Sequence, residues 1–130
     1  MIKIYTNSSD ASSYKAKEWL TRQQLDFEEI DWRKKGMTLE EFYRILTLTE
    51  KGTEDIIAKQ SLAYQGFSIH MDDFSLKDVY AYIHCQRNLL RLPLIVDEKH
   101  LQVGFNSDEI RKFIPRERRE VQVKLLNNIS

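Results

Sequence analysis

Apolar and polar residues alternate from Ile2 to Thr6, and the β-branched content of this run predicts a strand. The polar run from Asn7 to Ser13 reads as a turn that offers several helix caps. Ala16, Trp19 and Leu20 then recur at i, i+3, i+4, while Lys15, Lys17, Glu18 and Arg22 take the other face. This spacing predicts an amphipathic helix over about residues 12–24. Phe27 to Trp32 reads as a second strand, closed by the basic turn Arg33-Lys34-Lys35-Gly36. The opening is therefore β-α-β, a unit that favours parallel strands and a right-handed crossover.

Thr38-Leu39-Glu40-Glu41 has the pattern of a capping box, with Leu39, Phe42, Tyr43 and Leu46 along one helical face. Lys51-Gly52 reads as the stop of that helix, because Gly52 can take positive φ. Thr53 reads as the cap of a further short helix through Ile56 and Ile57. Residues 60–72 carry no clear period and read as irregular or weakly helical. Ser75 opens another helix, with Leu76, Val79, Tyr80 and Ile83 on one face. Leu94-Ile95-Val96, the turn Asp97–His100 and Leu101-Gln102-Val103 form a hairpin signal that ends at Gly104. Ser107 reads as the cap of a last helix with Ile110, Phe113 and Ile114 as its buried stripe, and Pro115 ends it. A polar tail follows, either helical or unstructured.

The order is β-α-β, a block of helices, then α-β-β-α. Without the middle block this is the layout of an α/β, thioredoxin-like domain. We expect one domain over residues 1–130, with the core at about 1–36 and 73–115, a helical insertion at about 37–72 and the tail at 116–130.

Composition narrows the function. Twenty basic and twenty acidic residues give a formal net charge of zero, which argues against coating DNA or an anionic membrane by bulk charge. Cys85 is the single cysteine, so no intramolecular disulfide can form, as suits a reducing cytosol. No signal peptide is expected, and apolar runs such as Leu92–Val96 are too short to span a bilayer. These features predict a soluble cytoplasmic protein without a membrane partner. His70, His84 and His100 do not form a metal-ligand spacing, and no metal or cofactor is expected.

An ordered set of segments carries a family resemblance: Ile4-Tyr5-Thr6 leading into Lys15-Ala16 and Trp19-Leu20; Ile45-Leu46 through Thr49-Glu50, Gly52-Thr53 and Ile56-Ile57; Leu89-Leu90-Arg91 with Pro93; and Asp97-Glu98-Lys99 through Leu101–Gly104, Asn106 and Asp108–Arg111. The chain resembles the Spx family of bacterial transcription regulators, which share a fold with the ArsC-type arsenate reductases. The resemblance implies a thioredoxin-like core, with Pro93 as a cis proline facing the first turn. It also implies binding to the C-terminal domain of the RNA polymerase α subunit. The glycine loop at Gly52 would lie at that contact, with Tyr5–Ser8, Ser12 and Lys15 nearby. Promoter DNA would be met only within the polymerase complex, and a proteolytic adaptor and protease would set abundance.

The departures from the family pattern bear on activity. The resemblance implies a Cys-x-x-Cys switch at positions 10 and 13, where this chain has Asp10 and Ser13, and anion-holding arginines at positions 60 and 92, where it has Gln60 and Leu92. A thiolate is the nucleophile that attacks an oxyanion and is resolved by a second thiol, and neither Asp10 nor Ser13 can replace it. An arsenate reductase-like thiol oxidoreductase is therefore disfavoured. The expected function is a non-enzymatic regulator without a thiol switch, with a competitor or adaptor for a redox-active paralogue as the alternative. From the residues alone, Asp10 and Ser13 are either a helix cap or an acid/base–nucleophile pair. Cys85, beside His84, is either an incidental thiol or a redox sensor. Arg111, Lys112, Arg116, Arg118 and Arg119 are either a solvated helix end or a DNA contact.

Overall fold

The computed structural model describes residues 1–129, excepting the side chains of 122–124 and 126–129; Ser130, the last residue of the tail, lies outside the described residues. The strands and α-helices are β1 (Ile2–Thr6), α1 (Ala11–Arg22), β2 (Phe27–Asp31), α2 (Trp32–Lys35), α3 (Leu39–Thr47), α4 (Leu62–His70), α5 (Leu76–Cys85), β3 (Leu94–Val96), β4 (Leu101–Val103) and α6 (Arg116–Ile129). The sheet order is β2-β1-β3-β4. β1 runs parallel to β2, pairing Ile2 with Phe27 and Thr6 with Asp31, and antiparallel to β3, pairing Ile4 with Ile95. The β3–β4 hairpin pairs Ile95 with Gln102. This is the thioredoxin-like arrangement.

The two-residue period of the strands divides the core between the two faces of the sheet. Ile4 and Ile95 face α1, where they pack with Ala16, Leu20 and Ile110. Tyr5, Leu94 and Val96 face the other way and join Trp32, Phe42, Ile45 and Ile83. The middle block packs into this second layer through Phe42, Ile56 and Phe67, so it shares its core with the sheet.

Several boundaries differ from the sequence expectation, each for a local reason. Trp32 is not in the strand: the Asp31 carboxylate accepts the Arg33 amide at 3.1 Å and starts α2, so the basic turn is a helical turn. Thr38 does cap α3 by accepting the Glu41 amide, but Glu41 does not reach back, because Arg44 holds its carboxylate through two bonds of 2.9 and 3.0 Å. The capping box forms instead at Ser75 and Asp78, at the head of α5. There Leu76 is 48% exposed, and Val79 and Ile83 carry the buried face.

α3 ends at Thr47, ahead of Gly52, which has φ +73° and opens a 3₁₀ turn over Gly52–Asp55. Thr53 caps nothing. The Thr49 hydroxyl accepts the Gly52 amide, and the Asp55 carboxylate accepts the amides of Glu50 and Lys51. Within residues 60–72, expected to be irregular or weakly helical, α4 forms over Leu62–His70, capped by Ser61, whose hydroxyl accepts the Tyr64 amide. Ser107 also caps nothing, since Asn106 Oδ1 accepts the amides of Asp108 and Glu109 and starts a 3₁₀ segment over Glu109–Phe113. The tail continues as α6.

Candidate functional site

The turn between β1 and α1 is closed by its own side chains. Asp10 Oδ2 accepts both the amide of Ser13 at 3.0 Å and its hydroxyl at 2.9 Å. The Ser13 hydroxyl in turn accepts the Asn7 amide at 3.3 Å, and Asn7 Oδ1 accepts the amide and hydroxyl of Ser9. Asp10 is thus the N-cap of α1, as one reading of the sequence expected, and its negative charge sits at the positive end of the helix. Ser13 is only 1% exposed. A nucleophile must reach its substrate, and this hydroxyl is turned inward and engaged on both sides. The acid/base–nucleophile alternative therefore fails on geometry. The Leu92–Pro93 bond is cis, and Pro93 leads into β3 with its carbonyl accepting the Gly104 amide at 2.8 Å.

An open cleft of about 470 Å³ lies over this turn. Asp10, Ser12 and Leu92 line it, together with three arginines, Arg33, Arg87 and Arg91. Each guanidinium is held by neutral acceptors. Arg87 donates to the carbonyls of Trp32 and His84 and lies 4.9 Å over the Trp32 ring. Arg33 donates to Asn88 Oδ1 at 2.9 Å, and Arg91 donates to the Asp55 carbonyl at 3.3 Å. Among the described residues, none of the three pairs with a carboxylate. Sequence reasoning missed them because they come from α2, from the 3₁₀ turn Arg87–Leu89 and from the segment before the cis proline. Only Arg91, next to Leu92, offered a local signal. Gln60 lies outside this cleft, in an adjoining one that it shares with Lys59 and Arg91.

The Gly52 turn sits across the Arg91 segment from the Asp10 turn. The Arg91 amide donates to the Ile56 carbonyl at 2.8 Å, and its side chain reaches Asp55. A methyl group built on Gly52 would meet nothing within 4 Å. Ser12 is half-buried at the rim of the cleft, and Lys15 is exposed on the outer face of α1. The structure records no hydrogen bond from the Gly52 turn to Ser12 or Lys15 among the described residues.

The remaining candidates separate. Cys85 is exposed at the end of α5, whereas the ring of His84 is turned to the Tyr80 carbonyl and the Met37 backbone and does not serve the thiol. The basic cluster is divided. Lys112 donates to the Leu101 carbonyl at 2.6 Å, and burial pushes its ammonium below the usual lysine range. Arg116 pairs with Glu120, and Arg118 donates to the Gln23 carbonyl. Among the described residues, no group of three His, Cys, Asp or Glu side chains could hold a metal ion, and no helix is long and apolar enough to cross a membrane.

The ArsC family model matches residues 5–113. The global transcriptional regulator Spx of Staphylococcus haemolyticus is 41% identical, over 95% of each chain. The Spx protein of Lactiplantibacillus plantarum is 42% identical, over 95% of this chain and 93% of its own. Among solved structures, a possible arsenate reductase from Streptococcus mutans superposes with a TM-score of 0.71 at 19% identity, covering 82% of this chain and 92% of its own. That likeness speaks to the fold alone.

Proposed function

This chain belongs to the ArsC family and to its Spx branch, and we propose that it is a non-enzymatic transcriptional regulator. It acts in the cytoplasm by binding the C-terminal domain of the RNA polymerase α subunit, and it does so without thiol–disulfide switching. The observation that carries this reading is the identity of about 40% to Spx regulators along nearly the whole length. The Gly52 turn supports the docking part. It presents a backbone with open space where a side chain would stand, so a partner can approach it closely. The closed Asp10–Ser13 network supports redox independence, since neither group cycles between thiol and disulfide. Activity is then set by abundance, through synthesis and through an adaptor and protease. Promoter DNA is met only when the protein is held on polymerase.

The test is a pull-down with purified α C-terminal domain, comparing the natural chain with Gly52→Arg and each with and without diamide. The reading expects retention of the natural chain, loss with Gly52→Arg and no effect of oxidant. No retention of the natural chain, or equal retention of both, rejects the docking surface. Oxidant dependence that survives Cys85→Ser rejects the redox part. The fold also hosts arsenate reductases, but a carboxylate stands here where the reductase needs its thiol. Turnover of arsenate with glutathione or thioredoxin above background would revive that alternative.

A further inference from the structure

The cleft over the Asp10 turn carries a charge excess that the fold leaves unpaired. The chain as a whole is balanced, with twenty basic and twenty acidic residues. Four charged side chains line the cleft, and three of them, Arg33, Arg87 and Arg91, stand against Asp10 alone, which leaves a net charge of +2. Oδ2 of Asp10 is engaged by the amide and hydroxyl of Ser13. The arginines, by contrast, keep donors in hand. Arg87 commits Nε and Nη1 to the carbonyls of His84 and Trp32, Arg33 commits Nη2 to Asn88, and Arg91 commits Nη1 to Asp55. Nη2 of Arg87, Nε and Nη1 of Arg33, and Nε and Nη2 of Arg91 have no protein acceptor among the described residues. Arg87 is half-buried between the Trp32 ring and two carbonyls, so its guanidinium is ordered before any ligand arrives. Leu92 and Phe105 add apolar contact to the same cleft.

We propose that this cleft binds a small phosphate monoester with a neutral, hydroxyl-bearing body. The arginines select the phosphate. A phosphate monoester is close to a dianion at pH 7, so its charge balances the lining, and the planar guanidinium fork matches its oxygens two at a time. Asp10 selects the body. A second anionic group in the cleft would meet the Asp10 carboxylate, whereas a hydroxyl can donate to Oδ1, which has no donor among the described residues. A cleft of about 470 Å³ is larger than a bare phosphate needs, and the surplus suits a body of sugar size against Leu92 and Phe105. The site is distinct from the arginine pair that the family resemblance implies, because those positions are Gln60 and Leu92 and carry no charge. The ligand is bound and not turned over, and the site does not rest on docking to polymerase.

Titration of the full chain with ribose 5-phosphate and with inorganic phosphate at constant ionic strength, followed by amide chemical shifts, tests the proposal. Ribose 5-phosphate should shift the amides of Arg33, Asn88, Arg91 and Phe105 saturably, with a Kd on the order of 10⁻⁴ M. Inorganic phosphate should shift the same amides with at least about fivefold weaker affinity. Arg33→Gln should weaken ribose 5-phosphate at least about fivefold, with a melting temperature within about 2 °C of the natural chain, because the side chain is exposed. Lys59→Gln, in the adjoining cleft, should leave the affinity within about twofold. Lowering the pH from about 7.5 to about 5.5 protonates the phosphate and should weaken binding at least about threefold. Absence of saturable shifts, shifts scattered over surface lysines, or equal affinity in Arg33→Gln overturns the site. Equal affinity for inorganic phosphate overturns the hydroxyl-bearing body. Tighter binding of a short single-stranded oligodeoxynucleotide at the same amides overturns the small ligand and assigns the arginines to nucleic-acid phosphates.

Discussion

Gly36 and Gly52 share a backbone requirement and differ in everything around it. Both hold positive φ, +66° and +73°, which side chains rarely adopt. Gly36 is buried at the end of α2. A methyl group there would stand 2.7–2.9 Å from the His84 ring and the Arg87 guanidinium. Neither neighbour can yield, because the ring is held by Tyr80 and Met37 and the guanidinium by Trp32 and His84. Gly52 faces open space. One glycine is required by the packing of this molecule. At the other the fold needs only the dihedral, so the missing side chain is free to serve a partner. In the first case a substitution should act on stability, and in the second on binding.

Breaking the first side of that contrast should give the largest effect. Gly36→Ala combines overpacking with a strained dihedral and should cost about 2–4 kcal/mol, a fall in melting temperature of roughly 8–15 °C. Thermal unfolding followed by circular dichroism measures it. Adding His84→Ala removes one of the clashing groups, so the double variant should lose less than the sum of the single losses. A melting point within about 2 °C of the natural protein would show that His84 and Arg87 give way after all.

Gly52→Arg should show the opposite balance. The unfavourable dihedral costs about 1 kcal/mol, while on the proposed docking affinity for the α C-terminal domain should fall at least about tenfold, because the new side chain would stand in the partner's path. Gly52→Asn is the control, since asparagine tolerates positive φ and should keep the melting point. Titration of both variants against the α domain separates strain from obstruction. If Gly52→Arg unfolds as readily as Gly36→Ala, the contrast between the two glycines collapses.

Asp10 belongs with Gly36 on the stability side, though with a smaller effect. Asp10→Ala leaves the Ser13 amide and hydroxyl without their acceptor and should cost about 0.5–2 kcal/mol, as loss of a helix N-cap does. Urea unfolding measures this, and Asp10→Asn should recover most of it. Binding to the α domain should change less than about twofold, because the carboxylate is engaged within its own turn. A large loss of binding with intact stability would move Asp10 to the docking surface.

Most of the framework was legible because its signals are local. Alternation at Ile2–Thr6, the i, i+3, i+4 stripe at Ala16 and Leu20, and the hairpin around Asp97 each place an element correctly. Helix α4 is legible only as irregular or weakly helical, because the exposed Leu62 and Ile69 blur its amphipathic period despite the Ser61 cap. The capping box at Thr38 was misread because Arg44, one turn further on, captures Glu41, and a single sequence does not rank two partners for one carboxylate. At the candidate site, Asp10 and Ser13 were legible as a cap three residues apart. The arginines of the cleft were not, since Arg87 is held by packing on Trp32 and Arg33 by donating to Asn88, each across 55 residues of sequence.

The smallest expected effect concerns the elements that flank the Asp10 turn. The ammonium of Lys17 on α1 lies 2.8 Å from Glu29 on β2, and the Thr6 hydroxyl donates to the same carboxylate at 2.9 Å. The Lys17 hydrogen bond, with help from Thr6, holds the Glu29 carboxyl below its ordinary value of about 4.5 against the opposing pull of burial. A depressed value in the folded state means that the folded form prefers the charged carboxylate more strongly than the unfolded form does. The resulting stabilisation is complete above about pH 4.5 and is lost as pH falls through the lower folded value. Both side chains are substantially exposed, 30% and 41%, so solvent screening keeps the contribution below about 1 kcal/mol. Urea unfolding of the natural chain and Glu29→Gln should differ by that amount at pH 7 and draw together as pH falls below about 4.5. The same convergence should appear in a Gly52→Asn background, because the pair lies on β2 and α1 rather than on the Gly52 turn. A difference between the natural chain and Glu29→Gln that stays constant from pH 7 to about pH 3.5 would assign the effect to packing instead of charge.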